Sequence, residues 1–169
     1  DIYQNGRQYA TECATAMLMV YYKALLEVYG QEVFDRLFPH IYLMNWHNLD
    51  PLLREVGIPR KTLDVLPGDR AYFINPDVNP ETPELQGENV IVLPEGLYYG
   101  HGMGIQDAET IVKLLNQNRR VGATRSAYLL DAVSRADFQR LSRLYDEHAP
   151  DMSPLVWKPF PKPIHPAYH

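Results

Sequence analysis

Cysteine is nearly absent: Cys13 is the only one in 169 residues. A single thiol excludes an internal disulfide framework and a multi-cysteine zinc site, and it fits a reducing compartment. The chain also lacks an excess of positive charge. Its net charge is −5 and its pI about 5.6, so no basic stripe is available to neutralise nucleic-acid phosphates. Arg119, Arg120 and Arg125 form the one local basic cluster, read as a solvated helix end in preference to an anion site. Long apolar runs are missing too. The longest such stretch, 14–28, is interrupted by Lys23 and Glu27 and falls short of the roughly 20 residues a membrane span needs, so no membrane partner is expected. The chain opens on Asp1 with no signal-peptide pattern, which is expected of a fragment or a processed form.

What is present is ordinary for a folded domain. Apolar residues make up 46% and charged residues 22%, enough for one domain with its own core. Asn5-Gly6 marks a turn. A helix is expected over 12–29, with Thr11 as N-cap, Gly30 as stop, and Ala14, Met17, Leu18, Tyr21, Leu25 and Val28 forming its buried face. A short helix over 32–37 and a strand over 41–46 follow, then a short helix near 50–55. Strands are expected over 70–74, 88–93 and 97–103, the last two joined around Pro94-Glu95-Gly96. Helices over 107–116, 126–133 and 135–145 complete a domain of residues 1–147. Residues 148–169 carry six prolines without apolar periodicity and read as an extended or disordered tail.

The cysteine's position sets it apart. The ordinary role of a lone cysteine is that of a small buried hydrophobe. Cys13, however, falls in the first turn of the expected helix, where free N–H groups and the positive dipole end favour thiolate. Ala14, Thr15 and Ala16 leave room for a substrate chain. A proton-handling partner is sought on the hairpin. Glu88 reads either as a solvent-facing edge charge or as that partner. His101 lies between Gly100 and Gly102, where the backbone can be approached closely. Pairing Val92 with Leu97 would set Glu88 opposite His101; a three-residue loop would put them on opposite faces. No histidine pair has zinc spacing, and prolines 76, 80 and 83 spoil the calcium-loop pattern of Asp77, Asn79 and Glu81, so no metal or other cofactor is expected.

Five blocks carry a resemblance: Tyr9-Ala10-Thr11-Glu12-Cys13-Ala14-Thr15-Ala16, Leu66-Pro67-Gly68-Asp69 with Tyr72-Phe73-Ile74-Asn75-Pro76, 87–93, 99–105, and Ser126-Ala127-Tyr128-Leu129-Leu130. In this order they resemble the transglutaminases of spore-forming bacilli. The resemblance implies an α+β fold related to papain-like cell-wall thiol enzymes, with the nucleophile helix packed on a small antiparallel sheet. It implies calcium-independent transfer of a protein glutamine's acyl group to a lysine amine, with protein substrates as partners. It implies Cys13 as nucleophile, Glu88 as the main acid/base group, Glu12 as a lesser partner, His101 lining the site, and Trp46, His47, Tyr99 and Asn89 near the substrate. It further implies a cytoplasmic or spore-coat setting.

The resemblance has gaps. A family N-terminal region of around a hundred residues has no counterpart, the stretch between His47 and Leu66 departs from the family pattern, and Asn45 replaces an acidic residue. A secreted toxin or effector domain, or a glutamine deamidase, would use the same chemistry. An adaptor with a buried Cys13 and a tail docking through residues 157–163 is the alternative outside enzymology. The sequence sets no oligomeric state.

Overall fold

The computed structural model describes residues 11–43 and 49–148, together with Ile2 and Asn5. Helix α1 (Cys13–Leu37) starts one residue later than the sequence predicts, with Glu12 rather than Thr11 at the N-cap in extended conformation. Gly30, at φ 73° and ψ 162°, breaks it into the two expected segments; only glycine adopts that backbone without strain.

The buried face of α1 is turned from the expected one. Thr15, Ala16, Met17, Leu18, Tyr21, Tyr22, Tyr29, Val33 and Phe34 are buried, whereas Val28 is 43% exposed. Tyr29 takes the inner place because its hydroxyl has an acceptor there, the Leu141 carbonyl at 2.8 Å, and its ring stacks on Tyr145. Tyr21 likewise donates to the Gly68 carbonyl at 2.7 Å, tying the helix to the turn that opens the sheet.

Among the described residues the main sheet has five antiparallel strands. In spatial order they are β5 (Gly104–Asp107), β4 (Leu97–Gly100), β3 (Gly87–Val92), β2 (Arg70–Ile74) and β6 (Tyr128–Leu129). A two-stranded ladder pairs β1 (Arg60–Lys61) with β7 (Ala132–Val133). Alternation along β3 divides the molecule into two cores. Ile91 packs with α1, Leu53, Val56 and the helix α3 (Phe138–His148). Val90 and Val92 pack with Ala71, Phe73 and the helix α2 (Ala108–Asn116). The sheet is therefore covered on both sides, an α+β arrangement.

Several sequence expectations are corrected. Residues 126–133 form β6 and β7 rather than a helix, because partners elsewhere claim their backbone. Ala127 N–H donates to Asn116 Oδ1 at 2.8 Å and Leu130 N–H to the Tyr72 carbonyl at 3.0 Å. Helix α3 starts three residues late: Arg135 is drawn to buried Asp69, and the Asp137 carboxylate accepts the Arg140 amide at 2.9 Å. Residues 50–55 give a turn and a 3₁₀ turn, Arg54–Gly57, in place of an α-helix. Of the strand expected over 41–46, residues 41–43 are irregular and 44–46 lie outside the described residues. The strand expected over 97–103 stops at Gly100 and turns back into β5. The tail beyond His148 also lies outside the described residues.

The hairpin register is corrected as well. Val92 pairs with Tyr98, which leaves five residues between them, because Glu95 and Gly96 both take positive φ and widen the connection that the Leu93 amide closes on the Leu97 carbonyl. The odd count means that Glu88 and His101 are not paired opposite one another.

The basic cluster also differs from both readings of it. Arg125 and Arg120 close on the buried carboxylate of Asp77, which also accepts the Thr124 and Arg125 amides. The neighbouring cations hold Asp77 far below the usual carboxylate range.

Candidate active site

Cys13 is the first residue of α1, and its half-buried thiol stands on the wall of a groove of about 810 Å³. Glu12, Tyr72, Gly87 and Asn89 share that wall. Register explains the grouping. Tyr72 pairs with Asn89, and Gly87 is two residues along on the same face of β3. Glu12 is exposed, and the Thr15 hydroxyl bridges it to the Leu43 carbonyl, at 3.5 and 3.3 Å.

Electrostatics at the thiol runs against the sequence expectation. Cys13 titrates above its ordinary range, first because burial penalises the thiolate and next because the Glu88 charge opposes it. Backbone hydrogen bonding at the helix start acts in the favourable direction, and Glu12 adds a further unfavourable charge. The helix end is thus outweighed, and the resting thiol keeps its proton at neutral pH.

Glu88 is 5% exposed, so the edge-charge reading does not hold. Its pKa is raised to about 7 by burial, with the His101 backbone amide pulling the other way as a hydrogen-bond donor. Its Oε1 is buried without a hydrogen-bond partner among the described residues. Alternation places Glu88 on the Phe73 and Val90 side of β3, where Gly100 leaves room for its carboxyl group. The Glu88 charge nevertheless reaches the groove wall: burial and then the Cys13 and Glu88 charges raise the Tyr72 phenol. Burial followed by Glu88 raises Tyr99.

The remaining candidates divide. His101 lies in the turn after β4 and meets Glu88 through its backbone. Tyr99, half-buried on β4, packs against the α1 core. Asn89 lines the groove, but its Oδ1 already accepts from Arg70 Nη2 at 2.7 Å and Nε at 3.0 Å. Trp46 and His47 lie outside the described residues. Tyr72 and Arg70 were missed by sequence reasoning. The signal for Tyr72 was its period-2 place on a strand beside the cysteine's block, legible only once the strand pairing is known.

No described helix is long and apolar enough to cross a membrane. Among the described residues no group of three or more His, Cys, Asp or Glu side chains is arranged to hold a metal ion.

A family profile described as TGL, protein-glutamine gamma-glutamyltransferase, matches residues 1–145. The chain is 45% identical over 155 residues to a protein-glutamine gamma-glutamyltransferase of Bacillus mycoides (strain KBAB4), covering 91% of this chain and 53% of that protein. A Bacillus cereus (strain 03BB102) protein of the same name is 46% identical over 154 residues, again 91% of this chain and 53% of the relative. The chain thus spans about half the length of the curated relatives it matches. Among solved structures, the transglutaminase from Geobacillus stearothermophilus without its C-terminal extension superposes with a TM-score of 0.75 at 48% identity. That match covers 85% of this chain and 67% of that one. A cysteine at a helix start, a buried glutamate whose charge it feels, and a match running from the first residue to Tyr145 give one result: the chain belongs to the protein-glutamine gamma-glutamyltransferase family.

Proposed function

We propose that this domain transfers the acyl group of a protein glutamine to a lysine amine, forming an isopeptide cross-link, with Cys13 as nucleophile and Glu88 as acid/base group. The observation that carries this reading is Cys13 at the first residue of α1 with the buried Glu88 near enough for its charge to act on the thiol. A glutamate of ordinary pKa is a weak base toward a thiol, and burial narrows that gap.

In the first half-reaction the Cys13 proton passes to Glu88 as sulfur attacks the glutamine carboxamide carbon. The C–N bond then breaks, Glu88 returns the proton to the leaving nitrogen, ammonia departs and a thioester is left on Cys13. In the second half, Glu88 takes a proton from the incoming amine, the amine attacks the thioester, and the sulfur leaves and regains its proton. The proton taken from each nucleophile is returned within this pair, and the proposed transfer is calcium-independent. Glu12, exposed beside the thiol, is the lesser partner. His101 supports Glu88 through its backbone amide. Tyr99, Asn89, Trp46 and His47 are assigned to the substrate passage, with Asn89 acting through its hold on Arg70. The α1 nucleophile helix packed on an antiparallel sheet supports kinship with papain-like enzymes.

The test is incorporation of a fluorescent primary amine into a glutamine-bearing protein such as casein, with ammonia measured in parallel. The reading expects both signals from the wild-type chain and neither from Cys13→Ala. Ammonia without amine incorporation would replace it with deamidation. Neither signal from the folded wild-type chain would remove the enzyme reading for this span.

A further inference from the structure

The ring of Tyr72 occupies space that exists only because residue 87 is glycine. A Cβ built on Gly87 would clash with the Tyr72 hydroxyl and with the Phe73 backbone carbonyl. The phenol is held over the start of β3, on the face where Cys13, Gly87 and Asn89 border the same groove. Its hydroxyl has no acceptor among the described residues, although other tyrosines of the fold, Tyr21 and Tyr29, donate to backbone carbonyls. Tyr72 is only partly buried, and it lines the same groove as the nucleophile.

We infer that the Tyr72 hydroxyl donates a hydrogen bond to the substrate's acyl oxygen as the Cys13 sulfur attacks, stabilising the negative charge that develops on that oxygen. Three features suit it to this work. The aromatic ring is rigid and wedged over Gly87, so the donor is oriented before substrate arrives. Tyr72 and Cys13 line one groove of about 810 Å³, which is large enough to admit a carboxamide side chain. Burial, followed by the Cys13 and Glu88 charges, raises the phenol, which therefore stays protonated through neutral pH and keeps its proton to donate. No proton is transferred in this role; the hydrogen bond strengthens as the carbonyl becomes an oxyanion and weakens when the thioester forms.

The inference rests on the acyl-transfer reading and is tested separately from it by Tyr72→Phe, which removes only the hydroxyl. Three quantities are read on a variant whose melting curve matches wild type: kcat and KM for glutamine-dependent ammonia release, and the rate of Cys13 alkylation by iodoacetamide. The expected result is a kcat lowered about 10²-fold, the scale of losing one oxyanion donor, with KM and alkylation rate within about twofold of wild type. A kcat within twofold of wild type would overturn the inference. So would a parallel loss of alkylation, which would assign Tyr72 to the thiol instead of the acyl oxygen. Inactive wild-type protein would instead be a failure of the acyl-transfer reading, visible before any Tyr72 variant is made.

Discussion

Glu88 lies directly against Gly100: a Cβ at residue 100 would stand 3.0 Å from Glu88 Oε1 and 3.3 Å from its Cγ. The carboxyl group therefore occupies a niche that any side chain at residue 100 would narrow. Gly100 is not in the left-handed region, so alanine is accommodated by the backbone and its effect falls on Glu88. Gly100→Ala is expected to lower kcat about tenfold, since small displacements of a catalytic group are costly. Its melting temperature should fall by only a few degrees. Kinetics and a thermal melt on the same preparation check this; full activity would show that Glu88 need not sit in that niche.

Thiol reactivity offers a second check. Two carboxylates, Glu88 and then Glu12, oppose ionisation of Cys13 in addition to burial. Removing either charge should bring the thiol pKa down. Glu88→Gln is expected to lower the midpoint of the iodoacetamide alkylation profile more than Glu12→Gln does. A midpoint that rises in either variant would mean that the carboxylates do not act on Cys13 through their charge.

Stability should carry the signature of Glu88. Its folded pKa, about 7, lies above its ordinary value. The folded state thus binds the proton more tightly than the unfolded chain. The benefit is fully present below the unfolded carboxyl range, about 4.3, and is lost as pH rises through about 7. Glu88→Gln should accordingly gain stability relative to wild type on going from pH 5 to pH 8. Urea melts at both pH values measure the difference; a gap that shrinks with rising pH would contradict the burial of this carboxyl group.

Much of this was legible in the sequence, and the exceptions have physical reasons. Gly30, Asp107 and the alternating residues of β3 announced their elements because local backbone preference and burial agree there: Gly30 takes positive φ, and Asp107 caps α2 through the Thr110 amide at 2.7 Å. Residues 126–133 misled because the bonds of Ala127 to Asn116 and of Leu130 to Tyr72 come from elsewhere in the chain. Cys13 and Glu88 stood out by residue type and position. The hairpin register did not, because it depends on Glu95 taking a positive φ that its residue type disfavours. Cys13 stands in the first turn of the helix as expected, but the burial and the Glu88 carboxylate that raise its pKa come from residues that only the fold brings to the sulfur.

The Asp77 cluster should matter to stability. Its side chain is 1% exposed, while those of Arg120 and Arg125 are 54% and 65% exposed. Asp77→Ala would leave two cations and two amides without their acceptor. The expected result is a urea midpoint below that of wild type. The Asp77 pKa is depressed, so its contribution is present above the ordinary carboxyl range and lost as pH falls below it. The destabilisation by Asp77→Ala should therefore diminish below about pH 4. An equal cost at pH 7 and pH 3 would show that charge is not what the cluster supplies.

In the proposed reaction Glu88, ionising near neutrality, takes the proton of Cys13. The most direct test is the pH dependence of the first turnover, measured as the burst of ammonia released when enzyme in excess meets a glutamine substrate, for wild type and Glu88→Gln. The wild-type rate should rise through pH 7, and the variant should show a rate lowered by about 10²- to 10⁴-fold with that rise absent. A variant that keeps the wild-type rate and the same rise near pH 7 would contradict this proton transfer.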